Sequence, residues 1–387
     1  MDTKKIIGDV LLELADAMES GGMVSRPSVG ITTIGSEHGE EVVLNGACAA
    51  AKSGLVSVVA IGSIAPSTLL PNMTFVQVAS EEEAHGTMES LLENGTIDAC
   101  VTMHYTFPIG VSTVGRVVTP AQGNEMLIAT TTGTSATDRI KAMVLNAVYG
   151  VITAKALGKA EPTVGIANVE GARAVERALT SLRDQGYPLH FSESRRADGG
   201  TVMRGNDLLM GSADVMVTDS LTGNLLMKMF SSFTTGGSYE ASGYGYGCGV
   251  GLEYDKMVLI ISRASGSPVI SNAILHAGEL VKGGLKQVVA AERAALKKAG
   301  FDALLAGLGC KKEQPEAGQP TVDVPKEVVT EAISGIEIME LEDAVLALLR
   351  KGIYAESGMG CTGPIVLVNE SNFGQAQTIL AESGFCQ

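Results

Sequence analysis

Short apolar runs bounded by turn residues punctuate the chain at Ser28–Ile34, Val56–Ile61, Ala99–Met103, Met126–Thr131, Thr163–Ala167, Ala213–Thr218, Met257–Ser262 and Ile365–Val368. Several are continuous rather than alternating, which is the pattern of strands covered on both faces. Longer segments with helical spacing separate many of them, at about 40–52, 136–158, 171–185, 221–231, 267–281 and 284–299. Strands alternating with helices predict βαβ units around a largely parallel sheet, an α/β fold. At the start, Ile6, Ile7, Val10, Leu11, Leu14 and Met18 recur at helical spacing and predict an amphipathic helix closed by Gly21-Gly22. This opening lacks the apolar centre of a signal peptide.

The pattern breaks at Lys311–Lys326, "KKEQPEAGQPTVDVPK", with three prolines and six charges. Such a stretch reads as a solvated linker. It divides the chain into an α/β body over 1–310, a linker over 311–326 and a C-terminal segment over 327–387. In that last segment Leu341, Ala344, Val345, Leu348 and Leu349 form a helical stripe. A loop carrying Cys361 follows, then the strand Ile365–Val368 and a final helix from about Asn372 to Glu382. No internal repeat is visible.

Composition narrows the function. Of 387 residues 45% are apolar, enough for a large core, and 47 glycines suit a fold with many tight strand–helix turns. The net charge of −15 argues against nucleic acid as a partner, because phosphate backbones are repelled. An anionic substrate would need local N–H donors and a few cations. No charge falls between Ser53 and Ser80, but Pro66 and Pro71 interrupt the stretch, so a buried strand rather than a membrane span is expected. The six cysteines, at 48, 100, 248, 310, 361 and 386, form no CxxC pair and no regular spacing. Free thiols of a cytoplasmic protein fit this, whereas a disulfide framework or a metal site does not.

Two stretches carry candidate chemistry. In "SADVMVTDSLTGNLLMKMF", Ser212–Phe230, an apolar strand ends in Asp219-Ser220 and a helix opens at Thr222-Gly223-Asn224. Ligands of parallel sheets bind beyond the carboxyl ends of strands, and a helix N-terminus favours an anion. An ordinary N-cap and turn would leave the same signature. In "GMGCTGPIVLV", Gly358–Val368, glycines at 358, 360 and 363 flank Cys361. They would let another molecule's reactive group approach the thiol, while a turn cysteine without a role reads identically. Cys100 lies inside an apolar strand, either a small buried hydrophobe or a second functional thiol. The glycine-rich Gly236–Gly251 reads as a flexible phosphate-covering or partner-binding loop or as a disordered connection, and His38 and His104 follow predicted strands as candidate bases.

"DVMVTDSLTGNLLMK", with "RGNDLLMGSAD" at Arg204–Asp214 and "VGIANVEGARAVERAL" at Val164–Leu179, resembles the phosphate acyltransferases of phospholipid synthesis over roughly residues 25–300. "IISRASGSPVISNAI", Ile260–Ile274, keeps an echo of that family's final glycine-containing loop. The resemblance implies a three-layer, isocitrate/isopropylmalate dehydrogenase-like body that moves an acyl group between a thioester and phosphate. The chain departs from that family at Gly35–Gly39, where a Gly-Gly-Asp-type sequence is usual, and at His104–Pro108, which is bulky where the family is small. With the tail "GMGCTGPIVLVNESNFGQAQTIL" included, the chain is similar nearly end to end to the alpha subunits of component C of the glycine, sarcosine and betaine reductase complex.

That resemblance implies an acetyl unit arriving from the selenoprotein component A, held as a thioester on Cys361 and released by phosphate as acetyl phosphate. Asn168, Asp219, Ser220, Thr222, Gly223 and Asn224 are the implied phosphate- and substrate-binding residues, with no cofactor beyond inorganic phosphate as substrate. A thiolase-like beta subunit is the implied partner. Two other readings remain: a catalytically degenerate docking scaffold within that complex, favoured by the altered loops, and a stand-alone phosphate acyltransferase.

Overall fold

A computed structural model describes residues 26–196, 199–308, 324–337, 340–360 and 363–386, together with Ile7, Gly8, Leu11, Leu12 and Ala15, which are helical. Most of the expected linker, and Cys361 itself, lie outside the described residues.

The body is one sheet between two layers of helices. Its strands are β1 (Ser28–Thr32), β2 (Ser57–Gly62), β3 (Met73–Gln77), β4 (Ala99–Thr102), β5 (Val111–Val118), β6 (Glu125–Thr134), β7 (Thr163–Ala167), β8 (His190–Phe191), β9 (Val202–Met203), β10 (Val215–Val217), β11 (Gly247–Val250) and β12 (Val258–Ile260). The order across the sheet is β3-β2-β1-β4-β12-β11-β5-β6-β10-β7-β8, with β9 also paired to β7. Strand β11 runs antiparallel to both neighbours, and β5 is antiparallel to β6. All other pairs are parallel. The two parallel sets on either side therefore point in opposite directions, and their carboxyl ends open on opposite edges.

Side chains alternate across the sheet as the pleat requires. Leu127 and Ala129 of β6 and Val215 and Val217 of β10 join the core on one face, while Met126, Ile128 and Met216 join that on the other. The first face is covered by α1 (Glu40–Lys52), α3 (Arg139–Ala156), α4 (Ala172–Asp184), α7 (Ser267–Lys282), α8 (Leu285–Lys298) and α9 (Phe301–Leu308). The second carries α2 (Glu81–Glu93), α5 (Gly205–Met210) and α6 (Ser220–Ser232). Helix α4 is a plain amphipathic case, burying Val175, Ala178, Leu179 and Leu182 at helical spacing. Helix α3 is apolar almost all round, and Gly150 lets it lie directly on the sheet: a Cβ there would stand 2.2 Å from Val215 Cγ1.

Three expectations change. The glycine-rich 236–251 segment is not simply a flexible loop, because Gly247–Val250 is a buried central strand with Cys248 fully enclosed. Glycine composition concealed it, since there is little side-chain pattern to read. Strands β3, β5, β8 and β9 escaped for similar reasons, being short, edge-exposed or interrupted by Gly115. The stretch before Cys361 is also more than a loop.

In the C-terminal segment β14 (Ala355–Gly360) and β15 (Gly363–Val368) form an antiparallel hairpin, and β13 (Glu331–Ser334) pairs with the other side of β15. With α10 (Leu341–Arg350) and α11 (Phe373–Glu382), they enclose a separate core of Ile333, Leu341, Ala344, Leu348, Val366, Val368, Ala376 and Leu380. The register sets the ends of this sheet: Gly360 faces Gly363, and Ser334 faces Ile365 two residues further on. The exit of β13 and the glycine end of the hairpin are thus at the same end.

Beyond that exit, Glu337 clasps the body. Its carboxylate accepts hydrogen bonds from the backbone N–H of Arg173 at 2.6 Å and of Gly171 at 3.3 Å, capping α4. Glu340 pairs with Arg177 one turn along the same helix. The surface ion pair contributes little, whereas a carboxylate on two helix N–H groups contributes about 1.5–3 kcal/mol. Replacing Glu337 by Ala should therefore speed hydrogen exchange at the Gly171 and Arg173 amides roughly tenfold to a hundredfold. Core strands of the body should be unaffected. Unchanged protection of those two amides would show that Glu337 does not hold the segment.

Candidate active site

Strands β7 and β10 are register neighbours, Ile166 against Val217, so the residues that follow them emerge side by side. Asn168 is exposed there, its backbone N–H donating to the Met203 carbonyl at 2.8 Å. Asp219 is the N-cap of α6. The edge thus brings together Asn168, Asp219, Ser220 and Thr222, as expected, and adds Arg139 and Glu170, which sequence reading did not single out. Arg139 donates to Asp219 Oδ2 at 3.2 Å and to the Glu170 carbonyl at 3.1 Å. The available signal was position: Arg139 opens α3 immediately after its N-cap, Asp138.

The donors expected to meet an anion are engaged within the protein. The Thr222 N–H and hydroxyl both donate to Asp219, at 3.0 and 2.7 Å. Asn224 donates its amide to the Thr131 carbonyl at 3.0 Å. Gly223 is buried, and a Cβ there would fall 1.7 Å from the Thr130 carbonyl oxygen. Burial opposes ionisation of Asp219, but the hydrogen bonds from Thr222 and the charge of Arg139 outweigh it and hold its carboxyl below the ordinary aspartate range. A carboxylate therefore already occupies the N-terminus of α6. Exposed Ser220, Asn168 and Arg139 are the groups turned outward.

The opposite edge, beyond β1 and β12, carries a second group. Lys228, two turns along α6 from Ser220, donates to Ser262 Oγ at 3.0 Å and to Glu240 at 2.9 Å. Glu240 is buried and accepts from Ser265 at 3.0 Å. Arg263 pairs with Glu81 at 2.9 Å, and the ring of His38 lies edge-on to Tyr239. Helices α1 and α7 both begin here, with Gly39 and Gly266 as N-caps and no side-chain cap. Their N–H groups have not been filled by a side chain at the cap, unlike those of α6. The signal in the sequence was the "SRASG" run after an apolar strand. Of the other histidines, His104 is exposed after β4, with its ring 6.3 Å from that of His85.

Cys100 is wholly enclosed in β4 among Ile97, Val59 and Ile61, and burial pushes its thiol well above the ordinary cysteine range. In this position it packs rather than presents a nucleophile. Burial likewise pushes Cys248 up to about 12.

The family model described as "Fatty acid synthesis protein" matches residues 28–367, spanning body and C-terminal segment alike. The chain is 57% identical over 99% of its own length, and 99% of the other's, to the "Glycine/sarcosine/betaine reductase complex component C subunit alpha" of Peptoclostridium acidaminophilum. The chain belongs to this component C alpha-subunit family. More distantly, it is 31% identical to the phosphate acyltransferase of Fervidobacterium nodosum over 39% of this chain and 44% of that one. A branched-chain phosphotransacylase structure from Enterococcus faecalis aligns over 66% of this chain and 99% of that one, at 17% identity and a TM-score of 0.48. No described helix is long and apolar enough to cross a membrane.

Two outcomes follow from these positions. Gly223→Ala should lower the melting temperature by several degrees, a cost of about 1–3 kcal/mol, because α6 must lift off the Thr130 carbonyl. A variant that melts with the wild type would contradict this packing. Iodoacetamide applied to the folded protein should leave Cys100 and Cys248 unmodified, and both should be alkylated after unfolding. Peptide mass spectrometry reads this directly, and native labelling of Cys100 would restore it as a candidate second thiol.

Proposed function

We propose that this chain is the acyl-transfer subunit of a glycine reductase-type complex. It takes an acetyl group from the selenoprotein component A onto Cys361 as a thioester and releases it with phosphate as acetyl phosphate. Full-length likeness to a component C alpha subunit, tail included, carries the reading, and the phosphate acyltransferase relatives of the body support the reaction class. In the release step a phosphate oxygen attacks the thioester carbonyl carbon. A C–O bond forms, the C–S bond breaks, and the Cys361 thiolate leaves. The intermediate's oxyanion needs N–H donors.

Docking supports a working position for the tail. Glu337 holds the N-terminus of α4, three residues beyond Asn168, and the glycine end of the hairpin lies at the same end of the small sheet. This favours the edge of Asn168, Ser220 and Arg139 as the place where a thioester on Cys361 meets phosphate. A small acyl group suits the body: Tyr105 and Phe107, in the loop that is small in the acyltransferases, stack edge to face at 5.0 Å, and Phe107 stacks likewise on Tyr254, which lies between β11 and β12, at 5.9 Å. The glycine-capped starts of α1 and α7, with Lys228 and Arg263 beside them, favour a second location for the phosphate at the opposite edge. A thiolase-like beta subunit and a cytoplasmic setting complete the reading, and it needs no cofactor.

The test uses the full chain with its complex partners. Cys361→Ser should abolish acetyl-enzyme formation from acetyl phosphate and all acetyl phosphate output, while melting stays within about 1 kcal/mol of wild type. Arsenate should replace phosphate. Arg139→Ala should raise the phosphate KM roughly tenfold to a hundredfold if phosphate sits beside Asn168, whereas Lys228→Ala should do so if it sits beside Ser262. Full acetyl transfer by Cys361→Ser would overturn the thioester role. Unchanged phosphate dependence in every variant would leave a docking scaffold.

A further inference from the structure

On the first face of the sheet, one arginine ties helix α7 to two strands. Arg116 of β5 donates to Glu279 of α7 at 2.6 Å and to Glu125, at the start of β6, at 2.5 Å. Tyr244, in the turn before β11, lays its ring 4.3 Å from the guanidinium carbon and donates its hydroxyl to Glu125 at 2.5 Å. One turn back along α7, His276 is wholly enclosed. Its Nδ1 lies 3.5 Å from Arg116 Nη1 and 3.9 Å from Glu279 Oε2, and its ring 5.6 Å from that of Tyr244. An arginine N–H can only donate, so the neutral ring accepts at Nδ1 and carries its proton on Nε2. Nε2 has no hydrogen-bond partner among the described residues. Of the other elements packed on α7, β1 and β4 contain no charged residue, and α1 meets it through Gly46 at Ile270. Lys155 of α3 is paired with Glu292 of α8, and Arg293 of α8 with Glu253.

We propose that His276 is an acid-sensitive release for the tie between α7 and the sheet. A proton arriving on Nδ1 sets an imidazolium 3.5 Å from the Arg116 guanidinium, with little water to screen the two cations. The nearest relief is Glu279, already within 3.9 Å. By turning to His276, its carboxylate exchanges a partner on β5 for one on its own helix, three residues away. The pair that held α7 to the sheet becomes a pair within α7, and Arg116 keeps only Glu125. Charge balance favours the exchange: with the ring neutral, one cation faces two carboxylates, so the added proton finds a counter-charge in place. Helix α7 then rests on its apolar contacts and on Asn272, whose amide donates to the Gly243 carbonyl at 3.1 Å. Because α7 begins at the second edge, with the Gly266 N–H on the Glu240 carbonyl at 2.9 Å, its loosening reaches the group around Lys228. Burial holds the His276 imidazole below the ordinary histidine range; Glu279 works against this and Arg116 with it. Burial opposes ionisation of Glu279 too, but His276 and Arg116 outweigh it and bring its carboxyl down to about 2. A group whose pKa is depressed by folding stabilises the fold above its unfolded pKa, and that stability is lost as pH falls. For His276 the loss begins at about 6.5, and for Glu279 only at about 4.5.

Denaturant unfolding of the full chain at neutral and mildly acid pH tests this, together with hydrogen exchange of the α7 amides corrected for intrinsic rates. Between about pH 7.5 and about pH 5.5 the wild type should lose up to about tenfold in its folding constant, and α7 protection should fall with it. His276→Asn keeps an acceptor near the place of Nδ1 but takes no proton, so it should lack that tenfold loss, whatever its stability at neutral pH. Glu279→Gln, at a position 39% exposed, should fold, and at neutral pH should already show the faster α7 exchange of the acidified wild type. The ring protons of His276, identified by their disappearance in His276→Asn, should hold their neutral-pH resonance positions down to about pH 6. A His276→Asn variant with the wild-type pH dependence would overturn the proposal, as would a His276 ring that is half-protonated at about 6.5. Wild-type α7 protection in Glu279→Gln would show that the Arg116 pair does not hold the helix, and would overturn it equally.

Discussion

Strands β11 and β5 stand between two parallel sets, and their antiparallel pairing turns half the sheet around. Where the chemistry can sit depends on this. Carboxyl ends of parallel strands are where loops and helix N-termini gather, and the reversal places one such edge beyond β7 and β10 and the other beyond β1 and β12. Helix α6 spans the sheet between them, with Asp219 and Thr222 at one edge and Lys228 at the other. A single sequence stretch, Asp219–Lys228, therefore reaches both edges.

Electrostatics then distinguishes the edges. In so acidic a chain, helix N-termini are readily taken by the protein's own carboxylates. Asp219 fills that of α6, and Glu337 fills that of α4 from the C-terminal segment. Each stabilises its helix by satisfying N–H groups that would otherwise need water, and each removes a ready-made anion site. The glycine caps of α1 and α7 provide no side-chain acceptor of their own, although Glu40 and Glu41 stand in the first turn of α1. The first edge presents a cation and exposed polar groups beside a fixed negative charge. The second presents helix N-termini, with the Lys228 charge balanced by buried Glu240.

The Glu337 contact gives the C-terminal segment a function beyond its own small core. Thirteen buried side chains in a three-stranded sheet and two helices make a modest core. A carboxylate on two backbone N–H groups is directional, so it fixes the orientation of that core as well as its attachment. This is how a segment joined through a proline-rich, charged stretch acquires a defined position against the body.

Much of the body was legible in the chain itself. Continuous apolar runs revealed β1, β2, β4, β6, β7, β10 and β12, and helical spacing revealed α1, α3, α4, α6, α7, α8 and the stripe of α10, because burial on two faces or on one leaves a period in the sequence. The pairing of strands left no such trace. Gly247–Val250 is a strand only because β5 and β12 flank it, and Ala355–Gly360 only because β15 pairs with it. The reversal of the sheet, and hence the second edge, follows from those pairings. The residue types at the candidate site, Asp219, Thr222 and Asn224 opening a helix after a strand, were likewise plain. Which of these groups are engaged was decided in part by neighbours far away in sequence: the Thr131 carbonyl accepts from Asn224, and Arg139 donates to Asp219. Local sequence sets what a residue can donate; only the packed structure determines which acceptor lies within hydrogen-bonding distance.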